Sequence, residues 1–231
     1  MISLRERAHA DELMDDPALA PEIYARVLND LAEVNRLILS ARPTIGFLAQ
    51  LLRDRKSFRL LDVGFGQGDM LRAIARWAAQ RGKAAELVGI DLNLNSAPVA
   101  RAATPPGLAI DYRTGDYATL AGKGFDVIIS SLVAHHMTHD QLVTFLRFME
   151  AEARLGWMIN DLHRLRLAYI GFPILATAMR WHPIVRHDGQ LSVARSFRRE
   201  DWQPLLAETG LSDKARVVRR FPFRLCVERM R

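Results

Sequence analysis

Residues 1–20 are polar and lack a sustained apolar period. From Pro21 a helical spacing begins, and Ile23, Val27, Leu31, Val34 and Ile38 fall on one face. Pro21 suits the first turn of that helix, where its missing N–H costs nothing. A second helix is predicted from about Pro43, carrying Ile45, Leu48 and Leu52. Both helices precede the first strand, so residues 1–55 read as a helical cap on a domain spanning 56–231.

Beyond residue 55, short apolar runs alternate with helical patterns. Phe58–Val63, Glu86–Asp91, Leu108–Arg113, Phe125–Leu132 and Trp157–Asp161 read as strands. Gln67–Arg81, a short segment after Asn95, and Thr138–Glu150 read as helices; Thr138 with Gln141 forms a capping-box pattern. Strands alternating with helices predict a mostly parallel sheet with right-handed crossovers. After Asp161 the pattern changes. Leu165–Trp181 is strongly apolar but contains Gly171 and Pro173, which weaken a regular helix. A polar loop is expected at Arg186, His187, Asp188 and Gly189. Helix Glu200–Thr209 stops at Gly210, and Lys214–Arg219 and Phe223–Glu228 close the sheet as its last two strands. Residues 162–197 read as an insertion over an acceptor site.

Chemistry concentrates where strands end. Leu60-Leu61-Asp62-Val63-Gly64-Phe65-Gly66-Gln67-Gly68-Asp69 sets a glycine loop between a buried strand and a helix, where a ligand can approach the backbone. A dinucleotide fingerprint would space its third glycine one residue later. Here Asp69 takes that place, which disfavours a pyrophosphate and suits a ligand bearing an ammonium and a sulfonium.

In these residues the chain resembles the class I S-adenosylmethionine methyltransferases. Asp62, Gly64, Gly66 and Gly68 match their first motif. Val88-Gly89-Ile90-Asp91 matches the strand that ends in a ribose-binding carboxylate; Gly115-Asp116-Tyr117 and Phe125-Asp126-Val127-Ile128-Ile129-Ser130-Ser131 match the third and fourth elements. The resemblance covers roughly residues 58–161. It implies a Rossmann-like α/β fold, a seven-stranded mostly parallel sheet with helices on both faces. It also implies S-adenosyl-L-methionine as cofactor, held by Asp62, Gly64, Gly66, Gly68, Asp91, Leu92, Asp116, Tyr117 and Ser131.

The acceptor is less legible. Ser130-Ser131-Leu132-Val133-Ala134-His135 replaces the Asn/Asp-Pro-Pro-Tyr stretch of enzymes that methylate exocyclic amines, which speaks against nucleic acid despite a formal net charge of +6. Histidine suits a general base. His135, His163 and His187 are the candidates, with His136, Arg186, Asn35 and Arg36 as substrate contacts. Asn160-Asp161-Leu162-His163-Arg164, Arg186-His187-Asp188-Gly189, Glu12-Leu13-Met14-Asp15 and Val34-Asn35-Arg36 are similar to small bacterial methyltransferases of polyketide and quinone-type biosynthesis. That similarity implies an O-methyltransferase or C-methyltransferase acting on a lipophilic aromatic or polyketide-like small molecule, with oxygen the favoured acceptor and nitrogen also open. An RNA or protein methyltransferase, and a cofactor-binding protein without chemistry, remain open.

Cys226 is the single cysteine, so no disulfide within the chain and no cysteine-based metal site is expected, and no residue is assigned to a metal. The first residues carry no apolar signal core, and no apolar run reaches the roughly 20 residues of a membrane span. A cytoplasmic protein is expected. Arg164, Arg166, Arg180 and Arg186 flank the apolar stretch and would favour peripheral contact with an anionic membrane. The oligomeric state is not legible.

Overall fold

Strand β1 (Ser57–Val63) sends its side chains alternately into two layers: Phe58 and Leu60 enter one core, Leu61 and Val63 the other. The same holds for β2 (Ala84–Asp91), β4 (Val127–Ser131) and β5 (Gly156–Leu162). The computed structural model, which describes residues 4–231, joins them with β3 (Ile110–Thr114), β6 (Arg216–Arg220) and β7 (Arg224–Met230) into one sheet. Its order is β3-β2-β1-β4-β5-β7-β6. The first five strands run parallel, and β7 enters antiparallel between β5 and β6. Because β1 is flanked by β2 and β4, successive crossovers leave it on opposite sides. A crevice opens at the carboxyl ends of β1 and β4, where such sheets take ligands.

Helices α2 (Ala41–Leu51), α3 (Asp69–Gln80) and α4 (Ser96–Ala102) share one core with the sheet; α5 (His139–Glu152) and α8 (Arg199–Glu208) share the other. Thr138 and Gln141 form the expected capping box on α5. Helix α2 differs from expectation. It is part of the sheet layer rather than the cap: Phe47 and Leu48 are fully buried, each worth about 1.5–3 kcal/mol. Asn160, at the end of β5, donates to Ser40 O at 2.9 Å and to Thr44 Oγ1 at 3.0 Å, fixing the start of α2.

The cover over the crevice is built from α1 (Pro21–Leu37), α6 (Arg166–Ala178) and α7 (Pro183–Arg195), around Val27, Val34, Ala176, Trp181 and Val185. On α1 the buried face is rotated from the predicted stripe: Tyr24 and Leu28 are buried and Ile23 is exposed. The reason is that α1 packs on two surfaces at once. Tyr24 reaches Ser96 of α4 (3.0 Å), while Glu33 accepts from Trp181 Nε1 (3.1 Å) and Asp30 from the His182 amide (2.8 Å).

The segment 162–197 corrects three expectations. Helix α6 is continuous through Pro173. The carbonyl that Pro173 cannot serve, Tyr169 O, accepts instead from Gln190 Nε2 of α7 at 3.1 Å. Arg186, His187, Asp188 and Gly189 form not a loop but the middle of α7, a helix started by Pro183 at its first position and capped by His182. Gly189 lies where α6 crosses, and a Cβ there would collide with the Phe172 ring. Lastly, Arg164 is buried rather than available to a membrane. Its guanidinium pairs with Asp201 at 3.0 Å and donates to Ser196 O at 2.6 Å.

Candidate active site

A cavity of about 480 Å³ lies between the strand ends and the cover. That size is typical of small-molecule sites.

One end is acidic. Gly64, Gly66 and Gly68 all have positive φ. Gly64 also passes so close to Val133 that a Cβ would overlap its side chain, which keeps the loop against the end of β4. Asp91, closing β2, accepts from the Gly66 amide through one oxygen and the Asn93 amide through the other, both at 2.9 Å. Two carboxylate oxygens have about four acceptor positions, so lone pairs remain for a ligand. Asp62 is buried and neither of its oxygens has a hydrogen-bond partner. Burial, with Asp69 and Asp91 nearby, pushes it well above the usual carboxylate range. Burial also raises Asp69, against a hydrogen bond with Asn35, and raises Asp91. Three clustered carboxylates with upward shifts call for a cationic ligand. Among the described residues, one buried arginine shares this cavity wall. Arg224, the first residue of β7, is 1% exposed, and none of its three side-chain nitrogens has a partner.

The other end is apolar, lined by Val27, Leu31, Ile38, Phe172 and Val185, with a polar cluster set into it. The 3-10 turn Ala134–His136 follows β4 and presents two histidines. His135 Nδ1 lies 2.8 Å from Asp161 Oδ1, and the other Asp161 oxygen accepts the His135 amide at 3.0 Å. On its far side, His135 Nε2 is 3.5 Å from Glu12 Oε1. His136 Nδ1 meets Asp15 at 2.9 Å, and its Nε2 is 3.8 Å from Glu12 Oε2. Burial alone would lower the His135 imidazole, but Asp161 and Glu12 outweigh it and lift the value to about 9. Burial would likewise raise Glu12 and Asp161, yet His135 holds both below their ordinary values. Glu12 is delivered by a clamp: Asp188 of α7 accepts the Leu13 and Met14 amides, each at 2.9 Å, and Ser192 Oγ donates to Glu12 at 2.8 Å.

The structure brings together Asp62, Gly64, Gly66, Asp91, Leu92, Tyr117, Ser131, His135, His136 and Asn35 on one cavity wall. The other named residues lie elsewhere. Gly68 caps α3 beneath Tyr112. Asp116 is exposed and caps the following turn through the Ala118 amide (2.8 Å). His163 is buried outside the cavity lining, its amide on Phe223 O (2.9 Å), and burial with Arg219 and Arg198 lowers its pKa. His187 points outward, 55% exposed, with Nδ1 on Asp188. Arg186 and Arg36 are exposed. The reason for the split is helical: His187 and Arg186 share α7 with Asp188 and Ser192 but lie on its outer face. Residues that sequence reasoning left out of the site are Glu12, Asp69, Asp188, Ser192 and Arg224. Asp69 had a signal in the glycine spacing. Glu12 had one in the Glu12-Leu13-Met14-Asp15 resemblance, which did not place it beside His135, and Arg224 had none.

Residues 60–154 match the family model described as a methyltransferase domain. The ubiquinone biosynthesis O-methyltransferase of Cereibacter sphaeroides (strain KD131 / KCTC 12085) is 34% identical over 141 residues, covering 58% of this chain and 53% of the relative. The chain thus spans about half the length of the curated relatives it matches. Among solved structures, a SAM-dependent methyltransferase from Aquifex aeolicus superposes with a TM-score of 0.60 at 17% identity, covering 92% of this chain and 98% of that one. Magnesium protoporphyrin IX methyltransferase from Synechocystis PCC 6803, with bound SAH, gives 0.56 at 14% identity, covering 94% and 90%. Residues 60–154 are thus a methyltransferase domain, and the strand order and these likenesses show the fold of S-adenosylmethionine-dependent methyltransferases.

Proposed function

We propose that the chain methylates an oxygen of a lipophilic aromatic or polyketide-like small molecule, using S-adenosylmethionine. The observation that carries this is one continuous cavity with an acidic end at Asp62, Asp69 and Asp91 and an apolar end holding Glu12, His135 and His136. The residues fit the cofactor. The partnerless oxygens of Asp62 suit an ammonium, the partnerless guanidinium of Arg224 suits a carboxylate, and the free lone pairs of Asp91 suit ribose hydroxyls. When bound, the cofactor supplies a methyl group on a cationic sulfur, open to in-line displacement by an oxygen nucleophile.

This chain's own part is alignment and proton handling. The cover of α1, α6 and α7 holds a flat apolar acceptor against the glycine loop. Asp161 fixes Nδ1 of His135, and the imidazolium orients the Glu12 carboxylate, 3.5 Å from its Nε2, to take the proton of an acceptor hydroxyl. His136, held by Asp15, adds a second imidazole beside the same oxygen. A relative named for ubiquinone biosynthesis O-methylation supports the acceptor class.

Among the described residues no helix is long and apolar enough to cross a membrane. Leu167, Ile170 and Ile174 nevertheless form an exposed stripe on α6, with Arg166 and Arg180 exposed nearby. Only Phe172 of the apolar stretch Leu167–Leu175 lines the cavity. The stripe supports peripheral contact, from the cytoplasmic side, with the membrane where lipophilic acceptors partition.

The test is methyl transfer from labelled cofactor to phenols of increasing alkyl length, with RNA and protein as competing acceptors. A kcat/KM that climbs with chain length is expected. A flat series ends the apolar-chamber assignment, and preferred labelling of RNA or protein ends the small-molecule one.

A further inference from the structure

Glu12 is a single buried carboxylate facing two imidazoles. Its Oε1 is 3.5 Å from His135 Nε2 and its Oε2 is 3.8 Å from His136 Nε2. One ligand atom from each of the three residues lies within 4.8 Å of the others. These gaps are long for hydrogen bonds, and His135 Nε2, on a side chain only 3% exposed, has no hydrogen-bond partner. Ligands bound at about 2.0–2.2 Å to one ion lie roughly 3–3.5 Å apart, so the two Glu12–imidazole gaps would close by a few tenths of an ångström and the widest donor separation, at most 4.8 Å, by up to about 1.5 Å.

The groups behind these donors are arranged to match. The far nitrogen of each ring is held by a carboxylate: His135 Nδ1 by Asp161 at 2.8 Å, His136 Nδ1 by Asp15 at 2.9 Å. A carboxylate on Nδ1 fixes the tautomer that leaves Nε2 free to bind an ion and makes that nitrogen more basic. Ser192 Oγ, at 2.8 Å, orients Glu12 in the same way. A proton alone could bridge Glu12 and His135, but it gives no account of His136 being turned, with its own carboxylate, toward the other Glu12 oxygen.

We infer that Glu12, His135 and His136 form a binding site for a divalent transition-metal ion. Two imidazoles and one carboxylate suit zinc, manganese, iron(II) or cobalt better than magnesium or calcium, which prefer oxygen donors alone. All three residues line the cavity, so the remaining coordination positions face water or an acceptor oxygen. An ion there would polarise a bound hydroxyl and lower its pKa. That use rests on the methyl-transfer reading; the site itself does not.

The experiment is titration of chelator-stripped full chain with cobalt(II), without cofactor or acceptor, read by calorimetry and by visible absorption. The expected result is one ion per chain with a Kd of about 10 µM or tighter, displaced by zinc, as for sites of this ligand type. Glu12→Gln and His136→Ala should each weaken binding at least ~100-fold, and Asp15→Asn about 10- to 100-fold. His136 is partly exposed, so its variant tests the site without emptying the core, and circular dichroism checks its fold. His139→Ala, whose ring pairs with Glu208 on the surface, should leave binding unchanged. Binding no tighter than millimolar, or binding that survives both Glu12→Gln and His136→Ala, overturns the metal site. If phenols are methylated by metal-free protein, the metal's catalytic use falls and the methyl-transfer reading stands. If one ion binds and no acceptor is methylated, the reverse holds.

Discussion

The Asp161 carboxylate grips His135 twice, by the ring at 2.8 Å and by the backbone amide at 3.0 Å, so strand β5 sets both the place and the orientation of the imidazole that follows β4. Asp161→Asn should therefore lower kcat with a phenolic acceptor by about 10²-fold, within the range for lost proton transfer. Cofactor affinity, measured by calorimetry, should be preserved. Unchanged turnover would remove Asp161 from the proton-handling array.

Asp91 braces the glycine loop through Gly66, and the proposed cofactor pose gives its remaining lone pairs to the ribose. Asp91→Ala should weaken cofactor binding by roughly 1.5–3 kcal/mol, the range for hydrogen bonds to a charged group. A folded variant with the same Kd would show that the ribose is held elsewhere.

Arg224 makes the two halves of a double readout move apart. Unpaired and buried, its charge costs the free protein stability. Arg224→Met should raise the Tm of the cofactor-free chain and weaken cofactor binding at least ~10-fold, as one charge-assisted contact implies. A fall in both quantities would mean the guanidinium is a structural prop.

The acid end has a definite pH sign. Asp62, Asp69 and Asp91 have folded pKa values above 3.8, the first well above it. A raised folded pKa means these groups favour the folded chain in acid, and that contribution is lost as pH rises through the folded values. Cofactor-free protein should thus gain from these three residues on acidification toward 3.8. The cofactor's own stabilisation should shrink over the same window, because protonated carboxylates no longer pair with its cationic groups. Thermal shifts with and without cofactor across that range measure both, and Asp62→Asn should flatten both curves.

Gly189→Ala tests the crossing of α6 and α7. Overpacking against Phe172 should cost about 1–3 kcal/mol, and Gly189→Ala with Phe172→Leu should recover part of it. A neutral single variant would mean the helices separate freely.

Much of this was legible beforehand because its signals are local. The run from Asp62 to Asp69 carries its loop, its strand and its ligand preference within a few residues, and Thr138 with Gln141 specifies a helix start by itself. The failures share a cause. Pro173 reads as a break only until Gln190, on another helix, is known to serve Tyr169 O. Arg164 reads as surface charge until Asp201 buries it. Glu12 lies 123 residues from His135 in a segment without periodicity, and only the Asp188 clamp brings it there. Where a residue's role is set by a partner far along the chain, no window of sequence contains the information.

That clamp also orders events during synthesis. Glu12 leaves the ribosome early, whereas Asp188 and Ser192, which position it, emerge about 180 residues later, and Arg224 later still. The nascent chain can fold its central strands well before it owns a complete pocket. Cofactor capture therefore becomes a report on late-made residues: a partly translated or carboxyl-trimmed product can carry the whole glycine loop and still lack Arg224.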